Sequence, residues 1–249
     1  MRSEEIPAVL ERAERALAEG GSLRGTGFWS AVAEVRKDRG LATRYAERIG
    51  AIDQRAFERG VGLRVRTTFG IALLVLGGLL GDALITWAVF AGVGDTGHEL
   101  GRLATFVVSV RTASPLIPTL FLLGTGLVIV STHSLVHWMV GRLLGIRFTY
   151  VFLGGPPPPR PGVKSDYASY LRVAPQSRAL MHASGAIVTK LVPFALLGNA
   201  RALSSDWPWL TWVLVGIGVF QIVTDLLLST KSSDWKKVRR ELRAARATR

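Results

Sequence analysis

The chain has 249 residues, 49% of them hydrophobic, a mean hydropathy of +0.30, and 31 Lys+Arg against 18 Asp+Glu for a net charge of +13. A soluble domain rarely joins high hydropathy to so large a charge; here the two are segregated, with charges crowding residues 1–67 and 231–249 and nearly absent from long runs between. The absence of cysteine excludes disulfides, thiolate-ligated metals and iron–sulfur clusters.

Residues 1–67 read as a cytoplasmic helical N-terminal region. "SEEIPAVLERAERALAEGG" alternates acids and bases, lacks the apolar run of a cleavable signal peptide, and puts Ile6, Leu10, Ala13 and Leu17 on one stripe. One or two more amphipathic helices follow, with Leu41, Tyr45, Ile49 and Ile52 in register. Such helices pack on themselves or on the membrane face, or dock a partner or anionic lipid. Acids nearly balance bases here, which argues against nucleic acid.

A spanning helix needs roughly 20 apolar residues. Four segments qualify, at about 68–93, 116–141, 179–198 and 208–229, the third interrupted by Lys190 and Pro193. The fold class predicted is therefore all-α: a polytopic integral membrane protein with about four transmembrane helices, its transmembrane domain covering 68–230. The loop at 94–115 carries only Arg102 and Arg111 as bases, and 199–207 only Arg201. The loop at 142–178 carries Arg142, Arg147, Arg160, Lys164, Arg172 and Arg178, and the tail is denser still. The positive-inside rule thus places both termini and the 142–178 loop in the cytoplasm. Within that loop "GGPPPPRPGVK", 154–164, suits a stiff polyproline II turn and neither helix nor central strand. The tail 231–249 predicts a basic amphipathic helix, capped by Ser232 or Ser233, that meets anionic headgroups with Trp235 at the interface.

Ionisable groups inside the spans are costly and mark function. They are Asp82, His133, His137, His182, Lys190 and Asp225. His137, His182 and Asp225 each fall a few residues inside the cytoplasmic boundary, roughly 6–9 Å deep. His133 and His137 stand at i and i+4 on one helix face. With Asp225 they form a plausible divalent-metal site, for which zinc is suited to imidazole and carboxylate donors. The alternative is two histidines hydrogen-bonded across helices, with Asp225 paired to Lys190 or a tail arginine.

"HSLVHWMVGRLLGIR", 133–147, resembles the HExxH-containing span of site-2 protease-type intramembrane zinc metalloproteases, including the stretch of Gly141, Arg142, Gly145 and Ile146. Asp225 in "QIVTDLLLSTKSSDW" matches that family's aspartate on a later span, and 182–194 its small-residue span between them. The resemblance covers roughly 116–235 and implies zinc held by His133, His137 and Asp225, with substrate helices arriving from within the bilayer. Two positions depart from the pattern. Leu226 replaces the glycine after the aspartate, and Ser134 replaces the glutamate that takes a proton from the attacking water. His182 is the one spare base at the right depth; otherwise it orients a ligand by hydrogen bonding. The expected function is a non-proteolytic member with a retained metal site, binding a single-span membrane protein or lipid. The alternatives are an active metalloprotease with a non-standard base, or a structural subunit of a larger membrane complex.

Overall fold

The computed structural model describes residues 2–93, 115–154, 160–227 and 233–247. The prolines 156–159 and the loop at 94–114, with Arg102 and Arg111, lie outside the described residues. Ten helices and three short strands are described: α1 (Ile6–Ala18), α2 (Phe28–Val35), α3 (Arg39–Gly60), β1 (Arg64–Arg66), α4 (Thr67–Val93), α5 (Leu116–Leu143), β2 (Phe148–Gly154), β3 (Arg160–Ser165), α6 (Tyr167–Arg172), α7 (Pro175–Ala195), α8 (Leu197–Ala202), α9 (Trp209–Leu227) and α10 (Asp234–Ala247). The predominance of helix agrees with the predicted class. Contacts divide the chain into two units, residues 1–71, 137–184 and 234–249, and residues 72–136 and 185–233.

In the first unit the predicted stripe Ile6, Leu10, Ala13 and Leu17 is fully or almost fully buried, against Phe28, Val32, Val35, Ile49 and Ile52. The core also takes in Ile146, Tyr170, Leu171 and Met181. Asp38 caps α3 by accepting from the Leu41 amide at 2.9 Å, and Asp166 caps α6 through the amides of Ala168 and Ser169. The strands form an antiparallel sheet in the order β1-β2-β3, with Val65 opposite Val151 and Val151 opposite Val163. Local periodicity predicts no sheet here. β3 carries Pro161 and stands at the edge, where a residue without an N–H is tolerated. Lys164 of β3 pairs with Asp53 of α3.

The "GI" of the 133–147 stretch has a folding role of its own. Gly145 adopts φ +87°, and the amide of Ile146 closes on the Gly141 carbonyl at 2.8 Å, ending α5 in a left-handed cap. Ile146 then enters the core with no exposure.

The second unit holds most of α4, α5 and α7, with α8 and α9. Its core gathers Ile85, Ala88, Ile117, Phe121, Leu203, Leu210 and Leu214. α4 and α5 approach closely at two glycines: a Cβ on Gly124 would sit 2.6 Å from the Gly81 carbonyl oxygen, and one on Gly81 2.8 Å from that of Gly124. Small residues at a helix crossing let backbones meet in this way. Three helices, Thr67–Val93, Leu116–Leu143 and Pro175–Ala202, are long and apolar enough to cross a membrane; the apolar run Trp209–Asp225 is shorter. Large apolar side chains such as Phe69, Leu76, Leu80, Phe90, Trp212 and Phe220 are exposed.

Candidate metal centre

His133 and His137 lie one turn apart on α5, as their spacing requires. Within the first unit His137 Nε2 and a carboxylate oxygen of Asp234 face each other at 3.2 Å, and His133 stands one turn earlier on the same helix. Asp234 opens α10, a segment read from sequence as a surface tail. Asp225 is placed differently: its carboxylate pairs with Lys190 in the second unit, where each charge neutralises the other. Lys190 Nζ also reaches the Ala186 carbonyl at 2.9 Å. Asp82 is exposed on α4, and Ser134 is buried.

Hydrogen-bond partners assign the histidine tautomers. Nδ1 of His137 is 2.7 Å from the carbonyl oxygen of Met181, which can only accept, so Nδ1 carries the proton. In the neutral ring the lone pair is then on Nε2, which faces Asp234 Oδ2 at 3.2 Å. Two acceptors at that distance require a cation between them: a proton, giving an imidazolium–carboxylate pair, or a metal ion. His133 is set up alike. Its Nδ1 is 2.8 Å from Thr189 Oγ1, whose one proton goes to the Gly185 carbonyl at 2.6 Å, so Nδ1 donates and Nε2 keeps the lone pair. A histidine that donates its outer N–H to a carbonyl or hydroxyl and presents the other nitrogen is the usual arrangement of a metal ligand.

His182 on α7 stands beside this group. Its ring centroid is 6.4 Å from that of His137, and Nδ1 is 3.9 Å from Asp234 Oδ1. Its Nε2 is 3.0 Å from the Tyr170 hydroxyl, which donates to Glu241 Oε1 at 2.9 Å. Burial, then the neighbouring Glu241 carboxylate, push the Tyr170 hydroxyl well above its ordinary range, so it keeps that proton. Tyr170 therefore accepts from His182 Nε2–H, which leaves the Nδ1 lone pair on the Asp234 side. Burial alone would raise the carboxyl of Asp234; with a proton on His137 Nε2, the hydrogen bond that it donates and the Lys237 ammonium more than offset this and hold the group below the usual carboxylate range.

Glu241 anchors the other side. Wholly buried, it accepts from Arg178 Nε at 2.7 Å and Arg240 Nε at 3.2 Å, and lies 3.3 Å from Arg36 Nε. Arg178, read from sequence as a marker of the membrane boundary, is 1% exposed and also binds the carbonyls of Leu171, Val173 and Arg36.

Asp234 and Glu241 are not predicted from sequence, because the tail reads as a basic amphipathic helix that meets anionic headgroups. A signal was present, since Val238, Glu241, Ala244 and Ala245 share one stripe of α10 and all are buried. An acid on the apolar stripe of a basic helix needs a buried partner. Compared with protein-family models, curated proteins and solved structures, the chain matches none.

Proposed function

We propose that this is an integral membrane protein in which His133, His137 and Asp234 hold a divalent ion, zinc by its donor set, and which binds a membrane partner or lipid without cleaving it. The observation that carries this reading is the pair of facing acceptors, His137 Nε2 and Asp234 Oδ2 at 3.2 Å, with the Nδ1 protons of both histidines already engaged. Two nitrogens and one oxygen suit zinc at tetrahedral geometry. The ion, when bound, supplies Lewis acidity. The chain's own residues hold and orient it: Met181 and Thr189 fix the two rings, and Lys237, 2.9 Å from Asp234 Oδ1, keeps that carboxylate ionised. Ser134 stands where the resembling family has its glutamate, and a hydroxyl is far too weak a base to move a proton near neutral pH. The lineage proposed is thus a site-2 protease-type scaffold that has lost peptide hydrolysis. The fourth span is the apolar run Trp209–Asp225, about 26 Å long at helical rise, and both termini are cytoplasmic.

Peptide hydrolysis with His182 as base is the second reading, favoured by the Nδ1 lone pair 3.9 Å from Asp234 Oδ1. The test is metal content by mass spectrometry on the detergent-purified protein beside His133→Ala/His137→Ala, with cleavage of a single-span reporter assayed in parallel. About one zinc per chain, lost in the double variant and without cleavage, is the expected result. No metal after zinc is supplied means that a proton bridges His137 and Asp234, and the metal reading fails. Zinc-dependent cleavage would favour the second reading.

A further inference from the structure

Four cations of α10 form a second feature. Lys236, Arg239, Arg240 and Arg243 line a cleft of about 460 Å3 together with Arg36 and Lys37, which follow α2. All six belong to the first unit. Lys37 has Glu34 at 3.0 Å, while Glu241 is shared among Arg36, Arg178 and Arg240. Among the described residues no carboxylate lies within ion-pair distance of Arg239 or Arg243, and both are exposed. Arg36, by contrast, is 8% exposed and is held by the Tyr167 hydroxyl. A buried, oriented guanidinium in a concave surface, with exposed cations around it, differs from a diffusely basic helix face. Gathering these charges costs self-repulsion that an anion with several oxygens would offset. Guanidinium forks match such oxygens two at a time.

We propose that this cleft is a phosphate-binding site, taking a phosphate group with a net charge of about two, carried either by an anionic lipid headgroup or by a soluble compound. The apolar helices make the lipid source reachable, and the position of α10, directly after the last apolar helix, makes a headgroup contact natural. The site does not depend on the metal reading, because none of its six cations belongs to the histidine–aspartate group.

The experiment is calorimetric titration of the full chain in neutral detergent with three probes: sodium pyrophosphate, dioctanoyl phosphatidic acid, and dioctanoyl phosphatidylcholine as a zwitterionic comparison. The variants are Arg239→Gln/Arg243→Gln and a control of equal charge loss, Arg12→Gln/Arg15→Gln, on exposed residues of a different groove. Circular dichroism and melting establish that both fold. Saturable binding is expected for phosphatidic acid or pyrophosphate, with phosphatidylcholine weaker. The cleft variant should lose about tenfold or more in affinity and the control less than about twofold. Binding of phosphatidic acid alone names the lipid as source, and binding of pyrophosphate at equal or greater strength names a soluble phosphate. Equal loss in both variants, or no saturation with any probe, overturns the proposal in favour of diffuse surface charge.

Discussion

Replacing Arg178 with alanine tests how α10 is held. Arg178 donates to Glu241 Oε2 at 2.7 Å and to the carbonyls of Leu171, Val173 and Arg36 at 3.2, 3.0 and 3.2 Å. The variant removes a charge-assisted bond from a fully buried carboxylate and leaves three carbonyls short of a donor. Breaking one side of a buried ion pair costs roughly 3–5 kcal/mol. The residual contacts of Glu241 with Tyr170, Arg36 and Arg240 put the expected loss toward the lower end. For a chain of this size about 3 kcal/mol corresponds to a fall of roughly 6–12 °C in melting temperature. Glu241→Ala should cost at least as much, since it leaves Arg36, Arg178 and Arg240 around an emptied position. Arg178→Met with Glu241→Leu should recover only part of the loss, because Arg36 stays buried beside the position that Glu241 vacates. The assay is thermal melting in detergent, with hydrogen exchange reporting whether the amides of α10 open first. A drop of under about 2 °C in Arg178→Ala, or unchanged exchange in α10, would refute the claim that this pair fixes the helix.

Asp234→Asn should lower zinc occupancy by about tenfold or more while Asp225→Asn leaves it intact; the reverse outcome would restore Asp225 as the third ligand. Gly124→Ala forces a Cβ to 2.6 Å from the Gly81 carbonyl and should destabilise by about 1–3 kcal/mol, whereas Gly126→Ala, with nothing within 4 Å, should be neutral or mildly stabilising in the same melting assay. Arg48 grips Glu14 at 2.6 Å and lowers its pKa from the ordinary 4.5, so the pair stabilises above that pH and its contribution is lost as pH falls through the lowered value. Both side chains are about a third exposed, which limits the effect to under about 1 kcal/mol. Glu14→Gln should accordingly flatten stability between about pH 3 and 5 and leave it unchanged in slope near neutrality.

Periodicity carried the parts of this chain whose burial is one-sided and local. The stripe of α1 and the helix-face pairing of His133 with His137 are properties of consecutive turns, and three of the four apolar segments are helices of spanning length. Long-range pairings were not legible. Nothing local in "RVR" at 64–66 announces a strand, because its partner Tyr150–Phe152 lies more than 80 residues away. The partners of the two acids are equally non-local. Asp225 sits in an apolar run where a charge is expensive, and Lys190, one long side chain from α7, meets that cost. Asp234 reads as a tail residue beside lysines, while His137, which faces it, lies far earlier in the chain. Depth along the sequence ranks residues by their own environment and says little about which neighbour neutralises them.

Were the histidines retained only for packing, neither ring would need a fixed tautomer. Yet His133, His137 and His182 each give one nitrogen to a hydroxyl or carbonyl whose own chemistry decides the proton's place, and the Asp234 carboxylate lies beside the lone pairs of His137 and His182. Three imidazoles oriented by three independent partners make a donor set prepared for a cation. Ser134 is buried on the same helix, and a serine hydroxyl is too weak a base to take a proton near neutral pH. Donors oriented in this way, beside a serine that cannot act as a base, are what the proposed function requires.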